Sequence, residues 1–138
     1  MPACIQCHRF DNQTNTCTVP IGSPGRKCVI ASQELRLTEI RNSKICEIGP
    51  GTVTKAKDIL EGNGNEWFGI EPQSHDYLGV PTIRTYEGTA SKIPFPDESM
   101  DYVLANQSME HWHEFNTPFR QGLSEIYRVL RPGGTARS

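Results

Sequence analysis

Two glycines and one acidic residue form the first pattern with chemical meaning in this 138-residue sequence. Gly49 and Gly51 follow a short apolar run, and Glu71 lies 20 residues beyond Gly51. Glycines let the backbone approach a ligand closely, and the free N–H groups of a following helix point towards that ligand. A carboxylate at this distance reaches the tip of the neighbouring strand, where it can accept both hydroxyls of a ribose. The pattern predicts a nucleoside-binding βαβ unit.

Two neighbours of the glycine turn favour a nucleoside that carries positive charge. A dinucleotide-binding loop would have a third small residue at position 54, where this sequence has Thr54. Glu47 places a carboxylate just before the glycines. This carboxylate would repel a pyrophosphate but attract a cation. We therefore expect a cationic nucleoside rather than NAD.

Cysteines form a second pattern, because four of the five lie in the first 28 residues, namely Cys4, Cys7, Cys17 and Cys28. We treat residues 1–31 as a separate cysteine-rich segment. It has no helical or strand periodicity to bury a core, so a covalent or metal link must hold it if it is ordered. Four thiolates complete the tetrahedral shell of a structural Zn²⁺, and the Cys-x-x-Cys spacing suits one ion. An iron–sulfur cluster, disulfides and a metal-free segment are the alternatives. Cys46, in an apolar run, is predicted to lie in the core.

Strand and helix patterns alternate through the rest of the chain, residues 32–138. β-prone runs, helical apolar spacing and turn residues predict strands at 44–48, 67–70 and 100–105, and helices at 53–60 and 118–130, with a short helix within 32–43. Pro132, Gly133 and Gly134 end the last helix. This alternation predicts an α/β fold with a doubly wound sheet.

Three further segments carry a more specific signal: Gly88–Asn106, Glu110-His111-Trp112 and Glu125–Gly134. Together with Glu47-Ile48-Gly49-Pro50-Gly51-Thr52, they resemble the class I S-adenosylmethionine-dependent methyltransferases, in particular the branch that acts mostly on small molecules. The resemblance covers about residues 44–135. It implies a Rossmann-like methyltransferase sheet, S-adenosylmethionine as cofactor and methyl transfer to a small-molecule acceptor. A sugar or sugar nucleotide is the acceptor suggested by the general habits of such enzymes.

The resemblance also implies roles for individual residues around the cofactor. Gly49 and Gly51 would approach its amino-acid part, with Glu47 beside the ammonium. Glu71 would hold the ribose hydroxyls, and the turn at Thr89-Ala90 would border the adenine.

The methyl acceptor would lie beyond the strand at 100–105, because the resemblance implies that Asn106 and Gln107 face the methionine portion. A sulfonium methyl is a potent electrophile, so transfer depends chiefly on holding the acceptor in line with it. A base is needed only for a hydroxyl or a protonated amine. His111 is our candidate catalytic base, because the unperturbed pKa of histidine is near neutral. Glu110 and His113 are the other candidates.

Two aromatic residues adjoin this segment, Trp112 and Phe115. They contact the acceptor on one interpretation and merely cap the sheet on the other. The sequence does not decide between the two.

The carboxyl-terminal end of the sequence leads to an expectation about completeness. The resemblance implies seven strands, whereas this sequence reaches only the start of the fifth, at Thr135. We therefore expect a C-terminally truncated domain in which the strand at 100–105 lacks a neighbour on one side. Unpaired strand edges promote association, so we expect self-association through this edge or poor solubility. Methyl transfer should then be weak or absent.

The composition limits the kinds of binding partner that the chain can have. With 14 Lys and Arg against 16 Asp and Glu, the net charge of -2 disfavours nucleic acid. The sequence shows neither an apolar run of about 18 residues nor a signal peptide, so we expect no membrane partner and a cytoplasmic location. The alternatives to a small-molecule methyltransferase are an RNA methyltransferase whose zinc knuckle docks on RNA, and a non-catalytic nucleoside-binding module.

Overall fold

The computed structural model describes residues 10–11, 16–17, 28–30, 36–105 and 109–137, with side chains described for 36–105 and 112–137. Its strands are β1 (Phe10–Asp11), β2 (Thr16–Cys17), β3 (Cys28–Ile30), β4 (Lys44–Ile48), β5 (Glu66–Glu71), β6 (Tyr86–Glu87), β7 (Met100–Leu104) and β8 (Leu130–Arg137). Its α-helices are α1 (Lys55–Gly62) and α2 (Phe119–Val129), and its 3₁₀ helices are η1 (Leu37–Glu39) and η2 (Met109–Phe115).

One parallel sheet organises the described residues. Its strand order is β3-β8-β7-β4-β5-β6, and a separate antiparallel pair joins β1 to β2. Parallel strands are buried on both faces, which explains why the residues of β4 after Lys44 are buried and those of β7 are buried or half-buried, most of them apolar. The α/β expectation is therefore confirmed.

Helices cover both faces of the sheet, as a doubly wound fold requires. Leu60 of α1 packs with residues of one face, including Ile45 and Leu104. Leu123 and Ile126 of α2 pack on the other face. Cys46 lies fully buried in this second cluster as a free cysteine, which confirms its predicted place in the core. Burial raises the pKa of its thiol, so it stays protonated and inert.

The first two helices differ most from the sequence expectations, whereas α2 is one residue shorter at each end than the predicted 118–130. α1 begins at Lys55 rather than at position 53, because residues 52–54 still belong to the glycine turn. Within the described part of 32–43, the only helix is the three-residue η1. Ile40, the extended residue just after η1, is 3% exposed and packs into the cluster on the α1 face. This packing holds the chain in an extended conformation where a longer helix would continue.

The last strand corrects our expectation for the carboxyl-terminal end. We expected this strand to start at Thr135, but β8 begins at Leu130, directly after α2. Met100 pairs with Leu130 and Tyr102 with Thr135, so the extra residues of β8 form a bulge. Gly134 makes this possible, because a Cβ there would lie 3.0 Å from the carbonyl oxygen of Asp101.

The position of β7 corrects a second expectation. We expected the strand at 100–105 to lack a neighbour, but β7 pairs with β4 on one side and with β8 on the other. β3, from the cysteine-rich segment, pairs in turn with β8. The edge that we expected to promote self-association is thus an inner strand of the sheet. Self-association stays a prediction, but an unpaired edge at β7 no longer supports it.

The described residues contain no helix that is both long and apolar enough to span a membrane. They also contain no group of three or more His, Cys, Asp or Glu side chains that could hold a metal ion. The predicted zinc ligands are outside this test, because Cys4 and Cys7 are not among the described residues. Cys17 and Cys28 lie in strands whose backbone alone is described.

Candidate functional site

A pocket of about 500 Å³ opens at the carboxyl ends of the parallel strands. The glycine turn after β4, Glu71 at the end of β5 and the turn after β6 form part of its lining, and the rest includes residues of η2 and the segment just after it. Ligands of open α/β sheets bind at this edge. Five of the predicted cofactor-binding residues come together here, namely Gly49, Gly51, Glu71, Thr89 and Ala90.

The glycine turn has a backbone conformation that other residues rarely adopt. Gly49 and Gly51 have φ of 66° and 64°, in the left-handed region. The N–H of Gly49 donates to the carbonyl of Ile70 at 2.8 Å, which fastens the turn to β5. A Cβ on Gly51 would meet no atom within 4 Å, so this glycine is required for its conformation. The space beside Gly51 is open to a ligand.

Glu71 is the polar centre of the pocket. Its side chain is 6% exposed, and the Gly51 N–H donates to Oε1 at 3.1 Å while the Gln73 N–H donates to Oε2 at 2.9 Å. Each carboxylate oxygen can accept two hydrogen bonds, so each keeps a further acceptor position. The carboxylate is therefore fixed in place and still able to receive two hydroxyls, as a ribose diol requires.

Glu47 has a different environment. It is 6% exposed, and the indole N–H of Trp67 donates to its Oε1 at 3.0 Å. Burial raises the pKa of Glu47, and the Trp67 hydrogen bond and the charge of Arg137 partly oppose this shift. Among the described residues its neighbour Ile48 lines the pocket, whereas Glu47 does not. The predicted contact with a cofactor ammonium stays a prediction, and Trp67 is a partner that the sequence analysis missed.

The turn at Thr89-Ala90 is held by its own hydrogen bonds and by α2. The hydroxyls of Thr89 and Ser91 lie 2.6 Å apart, and Ala90 is buried. Downstream, Arg128 of α2 donates to the carbonyl oxygens of Ile93 and Phe95, both at 2.9 Å. This ties the segment after the turn to the helix.

Arg128 is itself held by two carboxylates. It donates to Glu125 at 2.7 Å and to Asp97 at 2.8 Å, and Glu125 also accepts the N–H of Ile93 at 2.9 Å. The Arg128 guanidinium lowers the pKa of Glu125. The spacing of Glu125 and Arg128 on a helix signals an ion pair, but the carbonyl partners of Arg128 are distant in sequence, so the sequence analysis missed this positioning role.

Aromatic residues of η2 form another part of the wall, in which Trp112 and Phe115 line the pocket. Trp112 is 5% exposed, and its Nε1 has no hydrogen-bond partner within the described residues. The candidate base His111 lies in η2, but its side chain is not described, and Asn106 and Gln107 lie outside the described residues. The roles of these three residues stay predictions.

Comparison with known proteins decides the family. A family model described as a methyltransferase domain matches residues 46–137, which is 92 of the 138 residues. The chain belongs to the methyltransferase domain family. The resemblance to class I S-adenosylmethionine-dependent methyltransferases noted in the sequence is confirmed.

Individual relatives of this methyltransferase domain have longer chains. The present chain is 32% identical over 101 residues to demethylmenaquinone methyltransferase of Chlorobaculum parvum, and the match covers 70% of this chain and 40% of that protein. The present chain is 30% identical over 100 residues to chloroplastic 2-methyl-6-phytyl-1,4-hydroquinone methyltransferase 1 of Oryza sativa subsp. japonica. That match covers 67% of this chain and 29% of that protein. The crystal structure of the YcgJ protein from Bacillus subtilis superposes on this chain with a TM-score of 0.53 at 24% identity and shares its fold. The superposition covers 68% of this chain and 42% of that protein. The chain spans less than half the length of these proteins.

The pocket of this methyltransferase domain fits S-adenosylmethionine on its own geometry. Glu71 offers two oxygens with acceptor positions left over, and the left-handed turn leaves open space beside Gly51. The spacing in the sequence predicted the glycine turn and the acid at the end of the neighbouring strand. It did not assign Gln73, whose N–H orients Glu71 and which also lines the pocket. Its position two residues after the acid was the available signal.

Proposed function

We propose that this domain binds S-adenosylmethionine in the pocket and transfers its methyl group to a small-molecule acceptor. The observation that carries the proposal is the Glu71 carboxylate, which backbone N–H groups of Gly51 and Gln73 hold at the glycine turn with acceptor positions to spare. A buried carboxylate of this kind needs further donors, and a ribose diol supplies two.

The chain's residues would orient the cofactor rather than react with it. When bound, S-adenosylmethionine supplies a methyl group on a cationic sulfur, which an acceptor lone pair takes as the carbon–sulfur bond breaks and its electrons stay on sulfur. Glu71 would fix the ribose, and Thr89-Ala90 would border the adenine. The predicted contacts of Glu47, Asn106 and Gln107 with the methionine part remain within the proposal.

We further propose His111 as the base for a hydroxyl acceptor, its imidazole taking the hydroxyl proton as the methyl group is transferred. Its place in η2, the element that also supplies Trp112 and Phe115 to the pocket, supports this role. We therefore propose that the methyl acceptor binds on the side of the pocket formed by η2.

For the acceptor, we propose an aromatic hydroquinone ring. The names of the two relatives given above refer to a quinone and a hydroquinone, and aromatic side chains suit a planar ring, with Trp112, Phe115 and Tyr77 in the lining. A sugar or sugar nucleotide, the acceptor suggested at first, is the competing candidate. The remaining alternatives are RNA as the acceptor and a non-catalytic role in which the domain only binds a nucleoside.

A labelled-methyl assay separates these acceptors. The full 138-residue chain would be incubated with methyl-labelled S-adenosylmethionine and, in parallel, naphthohydroquinone, a nucleoside diphosphate sugar and bulk RNA. We expect label in the hydroquinone alone and at a low level, in keeping with the weak transfer predicted from the sequence. Label in the sugar or RNA would replace the proposed acceptor. Binding of S-adenosylhomocysteine without transfer to any acceptor would contradict the enzyme and favour the non-catalytic module.

We also retain zinc as a proposal for Cys4, Cys7, Cys17 and Cys28, on the thiolate number and spacing alone. Elemental analysis should find about one zinc per chain, and joint replacement of Cys4 and Cys7 by serine should abolish it. Iron with visible absorption would instead identify a cluster, and a metal-free chain would reject both.

A further inference from the structure

Exposed apolar side chains are concentrated at the end of the sheet that holds the pocket. Among the described residues, six large apolar side chains are exposed, and four of them lie in the loops that follow β4 and β5. These four are Val53, Tyr77, Leu78 and Val80. Single exposed apolar residues are normal, whereas several at one site mark a surface that contacts another molecule. This end of the domain is therefore an interaction surface.

Three of the four belong to one tight turn, residues 76–80, which we call the apolar tip. An antiparallel bridge between the residues on either side of the turn closes the loop. Tyr77 is 93% exposed and Leu78 is 72% exposed, so the apolar tip projects into solvent. Tyr77 also lines the pocket, together with Asp76. The apolar tip therefore stands at the mouth of the pocket.

The second arm of the loop fixes the apolar tip relative to the pocket. The Ile83 N–H donates to the carbonyl oxygen of Gly51 in the glycine turn at 2.7 Å. The Thr82 N–H donates to the carbonyl oxygen of Ser74 in the first arm at 2.9 Å. Both arms are thus held at the end of the pocket where Glu71 lies.

The backbone of the apolar tip is hydrogen-bonded within the turn itself. Oδ1 of Asp76 accepts the N–H of Leu78 at 2.8 Å and that of Val80 at 2.9 Å. The Asp76 carbonyl accepts the Gly79 N–H at 3.0 Å, and the Asp76 N–H donates to the Val80 carbonyl at 2.9 Å. The four residues after Asp76 carry no charge. Backbone groups that already have partners leave water at little cost, so this turn can enter an apolar medium.

We propose that the apolar tip docks the domain on the surface of a lipid bilayer, with Tyr77 and Leu78 entering the interfacial layer. A stable protein interface needs about 800 Å² on each partner, an area that four apolar side chains do not supply. A bilayer surface makes no such demand, because it takes up a few apolar side chains reversibly. A tyrosine suits this layer, since its ring is apolar and its hydroxyl stays in contact with water.

Docking would place the pocket mouth against the bilayer, where an acceptor with an apolar ring concentrates. The inference goes beyond the proposed function, and only this benefit to the acceptor rests on that function. The sequence predicted no membrane partner because it has no apolar run long enough to span a bilayer. Docking by a turn needs no such run, so the proposal replaces that expectation.

Sedimentation of the full 138-residue chain with vesicles tests the docking. Vesicles of phosphatidylcholine alone and of phosphatidylcholine mixed with phosphatidylglycerol distinguish apolar docking from attraction to anionic lipid. We expect the chain to sediment with both. Joint replacement Leu78→Ser and Val80→Ser should lower the partition coefficient about tenfold or more, because apolar surface is lost. Neither residue lines the pocket, so S-adenosylhomocysteine affinity should stay within about twofold and shows that the variant is folded.

Three results would overturn the inference. These are a parent chain that does not bind phosphatidylcholine vesicles, binding to the mixed vesicles alone, and equal partition of parent and double variant. Light scattering without lipid tests a second copy as the occupant, and a dimer that the double variant dissociates would also overturn the inference. Failure of the parent to bind S-adenosylhomocysteine would reject the proposed function instead. Unfolding midpoints would then check the fold, and the vesicle results would still decide this inference.

A tryptophan reporter locates the contact on the molecule. Trp67 and Trp112 are both buried and give a constant background emission. In Leu78→Trp, vesicles should shift the emission to shorter wavelength, and lipids brominated on their acyl chains should quench it. Glu66→Trp is the matched control, because Glu66 is exposed at the start of β5, the end of the strand opposite the pocket. Quenching of Glu66→Trp as strong as that of Leu78→Trp would place the contact elsewhere and reject the apolar tip.

Discussion

The two faces of the sheet each contain one buried tryptophan, and the tryptophans differ in how their polar atoms are used. Trp67 packs with Ile45 and Leu60 on the α1 face, and its N–H is satisfied by Glu47. Trp112 packs with residues of α2 on the other face, lines the pocket and has an N–H without a protein partner among the described residues. Trp67 and Trp112 are 6% and 5% exposed, so burial does not separate them. The completeness of their hydrogen bonding does.

The two buried glutamates show the same contrast. Glu47 and Glu71 are both 6% exposed. Glu47 accepts from a side chain in the core, whereas Glu71 accepts from two backbone N–H groups at the pocket and has acceptor positions left. A polar group that is held in place but incompletely satisfied is suited to bind a ligand, and this criterion distinguishes the site from the core in this chain.

The largest expected effect concerns Glu71. Glu71→Ala should weaken S-adenosylhomocysteine binding by about 1.5–3 kcal/mol, or roughly 10- to 150-fold, because hydrogen bonds to a charged group are lost. Calorimetry measures this change. Glu87→Ala, at an exposed carboxylate in the neighbouring strand β6, is the control and should bind like the parent chain.

A second prediction tests the packing of Trp112 on α2. Gly122→Ala should lower the free energy of unfolding by about 1–3 kcal/mol, because its Cβ would overlap the indole at 2.3 Å. Gly62→Ala in α1 is the matched control, since no atom lies within 4 Å of its Cβ position, and it should be neutral or stabilising by up to about 1 kcal/mol. Denaturant unfolding of both variants decides the matter, and a Gly122→Ala chain as stable as Gly62→Ala would show that the ring does not rest on Gly122.

The tryptophans themselves give a third prediction. Trp67→Phe should cost about 1–3 kcal/mol more stability than its lost volume explains, because the buried Glu47 carboxylate loses its donor. Trp112→Phe removes the same volume but breaks no hydrogen bond within the described part of the chain. Equal losses of unfolding free energy in the two variants would contradict the distinction drawn between them.

The smallest expected effect is a pH dependence at Glu47. Burial raises its pKa in the folded state above the unfolded value, so its contribution to stability is fullest at low pH and is lost as the pH rises through the raised pKa. Glu47→Gln keeps an acceptor for Trp67 and removes this titration. The unfolding free energy of the parent minus that of Glu47→Gln should therefore fall as the pH rises above the ordinary pKa of a glutamate. A difference that grows with pH would have the wrong sign for the account.

Local patterns explain what the sequence could predict. The strand–turn–helix order around Gly49 and Gly51 and the 20-residue step to Glu71 depend on residues close in sequence, and the structure brings them together at one pocket. The same step of 20 residues separates Glu47 from Trp67, because one pair joins β4 to β5 and the other joins the turn after β4 to the end of β5. The register of two adjacent parallel strands could have suggested this second pair.

Non-local pairing explains what the sequence could not predict. The start of β8 at Leu130 depends on a bulge opposite β7, and the neighbours of β7 depend on which strands come together in the sheet. The contact of the Trp112 ring with Gly122 depends on how η2 packs against α2. No local pattern signals either feature.

The most direct test of the central claim, that Glu71 holds the ribose of the cofactor, is a calorimetric cycle with two ligands and two proteins. S-adenosylhomocysteine and its analogue lacking both ribose hydroxyls would each be titrated into the parent chain and into Glu71→Ala. We predict that the parent prefers the complete ligand by roughly 10- to 150-fold and that Glu71→Ala binds both ligands about equally, because the lost partner is the same in each case. A parent that binds both ligands alike, or a variant that retains the full preference, would contradict the claim.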